Sequence, residues 1–513
     1  MKQKRIQSTF NTFIWSAYSM MITSIFPFLI RTAIIRFIGL EYAGVSSLFT
    51  SILQIINLTD LGFESAMTFF LYKPMAEQTE SGKEQICSIL HMLRRLYLFA
   101  GTFILIIGLA CMPFIPSLIR GKSYPAGLNI YFVYFIYIIN SAIPYFIGNY
   151  KAVLFKADQK SDILNRIGGT TAGIMYICQL VVLVIYADFY LYTILLLVSN
   201  ILHAIWLIRE SRRHYPEYKA YGWPDKVFIK DFKKQVFAIA LSKLRTVTRN
   251  SFDSVVISVF LGLVWLAKYQ NYYQVMQLLI YVVILLRSAV TPSLGNGIAT
   301  ESKDSNYGVL TVYTFLQCAV LTVLIGCTIN LYQPFIVLWV GKKSLLPFPM
   351  VILFCVYIFA YGMSDIMVML RETSGVWWKG RYISVVESIS NLILNVLLVR
   401  MFGVGGVIFA TIITIVCINL PSDIHYIFKY YFERSPKQYI GMLLMYTLTT
   451  ILSTSVSYYL VSKIVLNGIL GFLCKGILSF IVSLAMFLIL QFKNPKLREL
   501  LDILKIVRIN RTK

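Results

Sequence analysis

Apolar runs about as long as a bilayer crossing recur along the whole chain, each closed by a short polar or basic break. A helix needs about 20 apolar residues to cross the hydrocarbon layer. Runs of that length predict helices over 9–37, 42–70, 95–118, 127–150, 163–186 and 189–208. After a polar stretch from Arg209 to Lys234 the pattern resumes over 236–261, 266–291, 309–340, 346–370, 382–401, 405–428, 438–462 and 469–491. About fourteen spans with short connections use almost all of the 513 residues and leave no room for a soluble domain. The fold class expected is an all-α integral membrane protein, and a conventional cytosolic or secreted enzyme is excluded.

Composition agrees: 58% of residues are hydrophobic and only 14% charged, with mean hydropathy +0.71, against roughly 25% charged residues in soluble domains. The formal net charge of +24 would suggest a nucleic-acid partner were it not for where the cations fall. With the N-terminus inside, the inner segments hold 33 of the 47 Lys and Arg residues, while the outer connections hold only Arg120, Lys122, Lys342, Lys343, Arg400 and Lys463. Cytoplasmic loops retain Lys and Arg, so both termini are expected in the cytoplasm. The charge then reflects topology and attraction to anionic lipid heads, and no nucleic-acid module is required. Lys2, Lys4 and Arg5 precede an apolar stretch too long for a signal-peptide core, which is expected to stay as the first span. Eight scattered cysteines and four dispersed histidines show neither CxxC nor HExxH spacing, and no cofactor or metal is expected.

A repeat is visible where FIGLEYA (Phe37 to Ala43) aligns with FLGLVWL (Phe260 to Leu266) at an offset of 223 residues, each joining one long helix to the next. Two six-helix lobes related by this repeat place the boundaries at 1–208 for the first lobe, 209–235 for a basic cytoplasmic linker and 236–430 for the second lobe. Two additional helices over 431–492 and a basic cytoplasmic tail over 493–513 complete the chain. A two-lobed transporter is the natural reading.

Ionisable side chains within hydrocarbon cost several kcal/mol and usually face a wet cavity or a partner. Arg245, Arg249 and Asp253 recur at i, i+4 on the seventh span, as do Asp60 and Glu64 on the second, so each set shares one helix face. Arg287 lies near the inner end of the eighth span, Asp365 with Arg371 and Glu372 near that of the tenth, and Glu387 on the eleventh. Arg31 and Arg36 follow Pro27 towards the outer end of the first. One reading is a cationic, water-filled cavity between the lobes, in which Arg31, Arg245, Arg249 and Arg287 receive an anionic head group through forked hydrogen bonds suited to phosphate. In that reading Asp60, Glu64, Asp253, Asp365 and Glu387 are cavity carboxylates, with Asp253 the candidate for Na⁺ or H⁺ coupling. The other reading is structural: Asp60 and Glu64 neutralise arginines across helices, and Arg36, Lys243 and Arg287 snorkel to the interface. The 34 tyrosines supply sugar-stacking surface or interfacial belts. No GxxxxGK[ST] phosphate loop is present, so ATP hydrolysis by this chain is not expected.

Three segments carry a resemblance to a known family: IIRFIGLEYAGVSSLFTSILQIINLTDLGFESA (Ile34 to Ala66), KADQKSDILNRI (Lys156 to Ile167) and WWKGRYISVVESISNLILNVLLVRMFGVGGVIFATII (Trp377 to Ile413). The short Gly-containing turn before a D-L-G segment, and the later Arg, Asn and paired glycines, resemble polysaccharide-unit flippases (Wzx-type) of the multidrug/oligosaccharidyl-lipid/polysaccharide (MOP) exporter superfamily. These motifs are architectural, and the resemblance covers nearly the whole chain. It implies alternating access about a central cavity bordered by spans 1, 2, 7 and 8, a polyprenyl-pyrophosphate-linked oligosaccharide as cargo, and residence in the plasma (inner) membrane. Membrane lipids, the polysaccharide polymerase and glycosyltransferases of the same pathway are the partners it implies. A drug or cation exporter and a flippase for the peptidoglycan lipid precursor, both of that superfamily, remain alternatives, as does a membrane-embedded polymerase or ligase.

Overall fold

The computed structural model describes residues 2–57, 63–77, 79–466, 468–500 and 502, and the described residues contain helices and no strand. Contacts divide the chain into two compact units, Met1–Ala267 and Lys268–Lys513.

In the first unit the helices are α1 (Lys2–Ala33), α2 (Leu40–Ile56), α3 (Phe63–Glu77), α4 (Glu80–Cys111), α5 (Ile130–Phe146), α6 (Ala152–Ala157), α7 (Ser161–Val181), α8 (Phe189–His214), α9 (Lys226–Val247) and α10 (Asp253–Leu261). Their starts follow from side-chain capping of the first unpaired amides. Thr79 Oγ1 accepts from Gly82 N at 3.0 Å, Asn129 Oδ1 from Phe132 N at 3.0 Å, and Asp188 Oδ1 from Tyr190 N at 2.7 Å. Small residues let helix backbones approach where no hydrophobic force drives them together. A Cβ on Gly169 of α7 would lie 3.0 Å from the Ser19 Cα of α1, and one on Gly108 of α4 would lie 3.0 Å from Ile138 of α5.

The repeated heptapeptides both become turns. Gly39 (φ +140°) separates α2 from the π-helical turn Ile34–Ile38 that ends the first span, and Gly262 (φ +93°) separates α10 from the next helix. These φ values lie where a Cβ is disfavoured. The turns also meet, because a Cβ on Gly44 would lie 2.4 Å from the Leu263 carbonyl oxygen. Helices α9 and α10 fall in the first unit, where α9 packs on α3 and α10 on α2. The division by contacts lies at Ala267.

The second unit contains most of α11 (Leu263–Thr300), then α12 (Lys303–Val340), α13 (Phe348–Thr373), α14 (Ile383–Phe402), α15 (Val404–Ile413), α16 (Leu420–Ile427), α17 (Lys437–Ser462) and α18 (Gly468–Leu490). Helix α18 is inside-out relative to a soluble helix. Ile469, Leu473, Ile477, Phe480 and Ile481 are exposed, whereas Ser479 and Ser483 are fully buried. Lipid is as apolar as leucine, so the buried stripe is small and polar. A Cβ on Gly326 of α12 would lie 1.9 Å from Ser483 Oγ. Thr322 and Thr450 join hydroxyls at 2.8 Å, and Asn330 Nδ2 donates to Ser457 Oγ at 3.2 Å, sewing α12 to α17. The paired glycines of the later motif serve a turn of the same kind: Gly403 (φ +58°) ends α14, and a Cβ on Gly406 would lie 2.1 Å from the Leu398 carbonyl oxygen.

Among the described residues eleven helices are long and apolar enough to cross a membrane, or twelve if Ile130–Phe146 and Asn149–Ala157, bent by 47°, form one span. The expected fourteen included two segments that fall short on this measure. Within 42–70, residues 58–62 lie outside the described residues, and the described helix before them, α2, is 17 residues long. Residues 236–261 are divided between α9 and the nine-residue α10 by the π-helical turn Thr248–Phe252.

Candidate polar cavity

Helices α2 to α8 all contribute to the lining of a cavity of about 650 Å³ in the first unit, within the range of small-molecule sites. Its polar lining is mostly neutral. Asn57, Asn140, Asn149 and Asn200 contribute amides, Ser46, Thr50 and Ser141 hydroxyls, and Tyr97, Tyr137, Tyr145 and Tyr192 rings. These groups are held in place by one another. Asn200 Nδ2 donates to Asn140 Oδ1 at 2.8 Å, Ser141 Oγ to Asn57 Oδ1 at 2.9 Å, and the Ser46 and Tyr137 hydroxyls are 2.9 Å apart. Gln54, also in the lining, accepts from Ser251 Oγ at 2.9 Å, which ties α2 to the π-helical turn Thr248–Phe252. One ion pair borders the cavity: Lys156 Nζ lies 2.8 Å from Glu64 Oε1.

Of the residues singled out in the sequence, Glu64 is in this cavity and is occupied by Lys156. Arg31 is not in the lining; its Nη2 donates to the Ala267 carbonyl at 2.9 Å and its Nη1 to Ser47 Oγ at 3.2 Å. Arg249 lies half-buried in the π-helical turn, and Asp253, buried, begins α10 directly after it. Such turns widen a helix locally and often mark functional positions. Asp60 lies outside the described residues, as does the side chain of Arg245, whose backbone belongs to α9.

In the second unit Arg287 is clamped by two carboxylates, Nη1 to Asp365 Oδ1 at 2.6 Å and Nη2 to Glu372. Both partners come from α13, seven residues apart, so they lie on one face two turns from each other. A guanidinium engaged on both arms cannot take a diphosphate without exchanging partners. Next to this, Arg371 pairs with Asp423 at 2.5 Å with both side chains buried. Glu387 is buried in α14 one turn before Asn391, whose amide donates to Thr411 Oγ1 at 3.1 Å.

Sequence reasoning followed the ionised side chains and missed most of the cavity. Asn140 and Asn200 each sit inside an apolar run and were a visible signal, since an amide in hydrocarbon needs a partner. Nothing in the sequence showed that these two would meet.

No family model and no curated protein sequence matches the chain. Its fold is nevertheless shared with solved structures. One described as the lipid II flippase MurJ in an inward closed conformation superposes with a TM-score of 0.66 at 17% identity, covering 95% of this chain and 99% of that one. An inward-facing multidrug resistance MATE family transporter of the MOP superfamily gives 0.65 at 13% identity over 82% and 98% of the two chains. A MOP superfamily transporter from Pyrococcus furiosus, described as having a binding pocket of reverse polarity, gives 0.56 at 12% identity over 83% and 96%. The chain is a multi-pass membrane protein with the fold of the MOP superfamily transporters.

Proposed function

We propose that this protein is a flippase that moves polyprenyl-pyrophosphate-linked oligosaccharide repeat units from the cytoplasmic to the outer leaflet of the plasma (inner) membrane, for surface polysaccharide synthesis. The observation that carries the reading is the neutral, amide- and tyrosine-lined cavity. An asparagine side chain offers a donor and an acceptor side by side, which matches neighbouring sugar hydroxyls, and a tyrosine ring offers a face for the sugar ring. A lipophilic cation would call for a free carboxylate, and Glu64 is already paired with Lys156.

The physical task is to lower a desolvation barrier. A sugar head group cannot cross hydrocarbon without losing hydrogen bonds, at a cost of kcal/mol for each unpaired group. A cavity that replaces those bonds removes the barrier while the polyprenyl tail stays in lipid. Arg249 and Arg245 are assigned to the diphosphate, with Arg31 and Arg287 contributing if they exchange their present partners. Asp253 is assigned to Na⁺ or H⁺ coupling. The polymerase and glycosyltransferases of the same pathway are the proposed partners.

The test is the sidedness of lipid-linked oligosaccharide in proteoliposomes, read with a probe that does not cross the bilayer. Wild type should equilibrate the two leaflets faster than empty vesicles, and N140L/N200L and R249A should slow it. Folded wild type that matches empty vesicles under an imposed Na⁺ or H⁺ gradient would overturn the reading. Equal acceleration of a peptidoglycan lipid precursor would move the assignment to that cargo.

A further inference from the structure

A second cavity of the first unit, about 430 Å³, lies at the basic end of its helices and shares no lining residue with the polar cavity. Four cations converge on it: Arg94 from α4, Lys151 from the turn before α6, Arg212 from the last turn of α8, and Lys219 from the segment that follows. Tyr150 and Tyr218 also line it. Among the described residues none of the four cations forms an ion pair. Two of the nearby carboxylates are committed elsewhere. Glu210 faces Arg166 at 3.7 Å and His214 at 3.5 Å, while Asp158 binds Lys160 at 2.8 Å and accepts from the Tyr215 hydroxyl at 2.8 Å. Glu217 is close to Lys83 as well as to Tyr215 and Tyr218 of the lining.

Arg94, Arg212 and Lys219 are exposed and Lys151 is half-buried, so solvent and salt screen their mutual repulsion, but no ion pair among the described residues cancels it. The α8 C-terminus supplies a partial negative charge of about one half to Arg212, which does not balance four cations. The preference for basic residues on the cytoplasmic side explains their side of the membrane. It does not explain their convergence from separate elements into one concavity.

We propose that this pocket is a binding site for a phosphate group at the cytoplasmic face, separate from the polar cavity and from whatever cargo that cavity holds. Arg94 and Arg212 supply forked donors, Lys151 and Lys219 point charges, and the two tyrosine hydroxyls neutral donors. The phosphate comes either from an anionic lipid head or from a soluble phosphorylated molecule. Both present the same oxygens to the pocket.

The experiment uses the full chain in two arms: native mass spectrometry of phosphatidic acid retained from mixed-lipid nanodiscs, and calorimetric titration of inorganic pyrophosphate into protein in neutral-lipid nanodiscs. Wild type is compared with R94Q/K151Q/R212Q and with K226Q/K230Q/K233Q, which removes the same charge from the basic face outside the pocket. Binding in either arm, weakened about tenfold or more by the pocket variant and less than about twofold by the control, supports the site, and the arm that responds names the source. If the triple variant does not fold, K151Q and R212Q separately, each with a several-fold loss, give the same reading. Equal losses in pocket and control variants, or no binding by wild type in either arm, would overturn it.

Discussion

Gly44 of α2 rests against the Leu263 carbonyl at the start of α11, so close that a single methyl group there would sit 2.4 Å from the oxygen. The two turns of the internal repeat are therefore in backbone contact, and the glycine is what admits it. G44A should force this contact apart and cost about 1–3 kcal/mol. The expected readout is a lowered thermal transition of the purified protein, and an unchanged transition would contradict the contact.

The Glu64–Lys156 pair is half-exposed, so its worth to stability is small, about 1 kcal/mol or less. On the proposed flippase function its larger effect is expected on transport, because each single change leaves a net charge at the cavity wall. E64Q and K156Q should each slow leaflet equilibration, and the exchanged pair E64K/K156E should recover most of it. Recovery failing while both single variants remain folded would show that the side chains act separately.

Arg371 and Asp423 are paired with both side chains buried. Removing one partner strands the other charge, at about 3–5 kcal/mol. D423A should therefore accumulate poorly in the membrane. R371M/D423L, which removes both charges, should restore abundance well above D423A.

At the α12–α18 seam, G326A places a methyl group on Ser483 Oγ and should loosen α18. The second change S483G vacates that space. Thermal stability of the double variant should exceed that of G326A alone, and a strictly additive loss would argue against the contact.

How far the sequence carried this picture can be judged at particular positions. The apolar runs located the helices because each is long and uniform, and the Phe-Gly-Leu coincidence at 37–43 and 260–266 marked two turns that both carry a glycine at positive φ. The interior break was legible only as polarity: the π-helical turn at Thr248–Phe252 lies in the polar run 242–254, which marks an interruption of the apolar span but not a change of helix type. The candidate site was legible only in part. Glu64 stood out by its charge, whereas Lys156 was assigned to a connection and Asn140 and Asn200, sixty residues apart, meet only through packing of α5 on α8. Arg287 was marked by its charge, but its double clamp by Asp365 and Glu372 depends on the register of α11 against α13.

The paired lysine and glutamate of the polar cavity sum to zero charge, and apart from His203 the rest of its polar lining is amide and hydroxyl. A membrane voltage does work only on net charge carried across it, about 2.3 kcal/mol per elementary charge for every 100 mV. This cavity can therefore reorient in an energised membrane at little electrical cost of its own. On the proposed function, any voltage dependence of the cycle would come from charged groups outside this lining, such as Arg249 and Asp253, from the cargo or from a coupling ion.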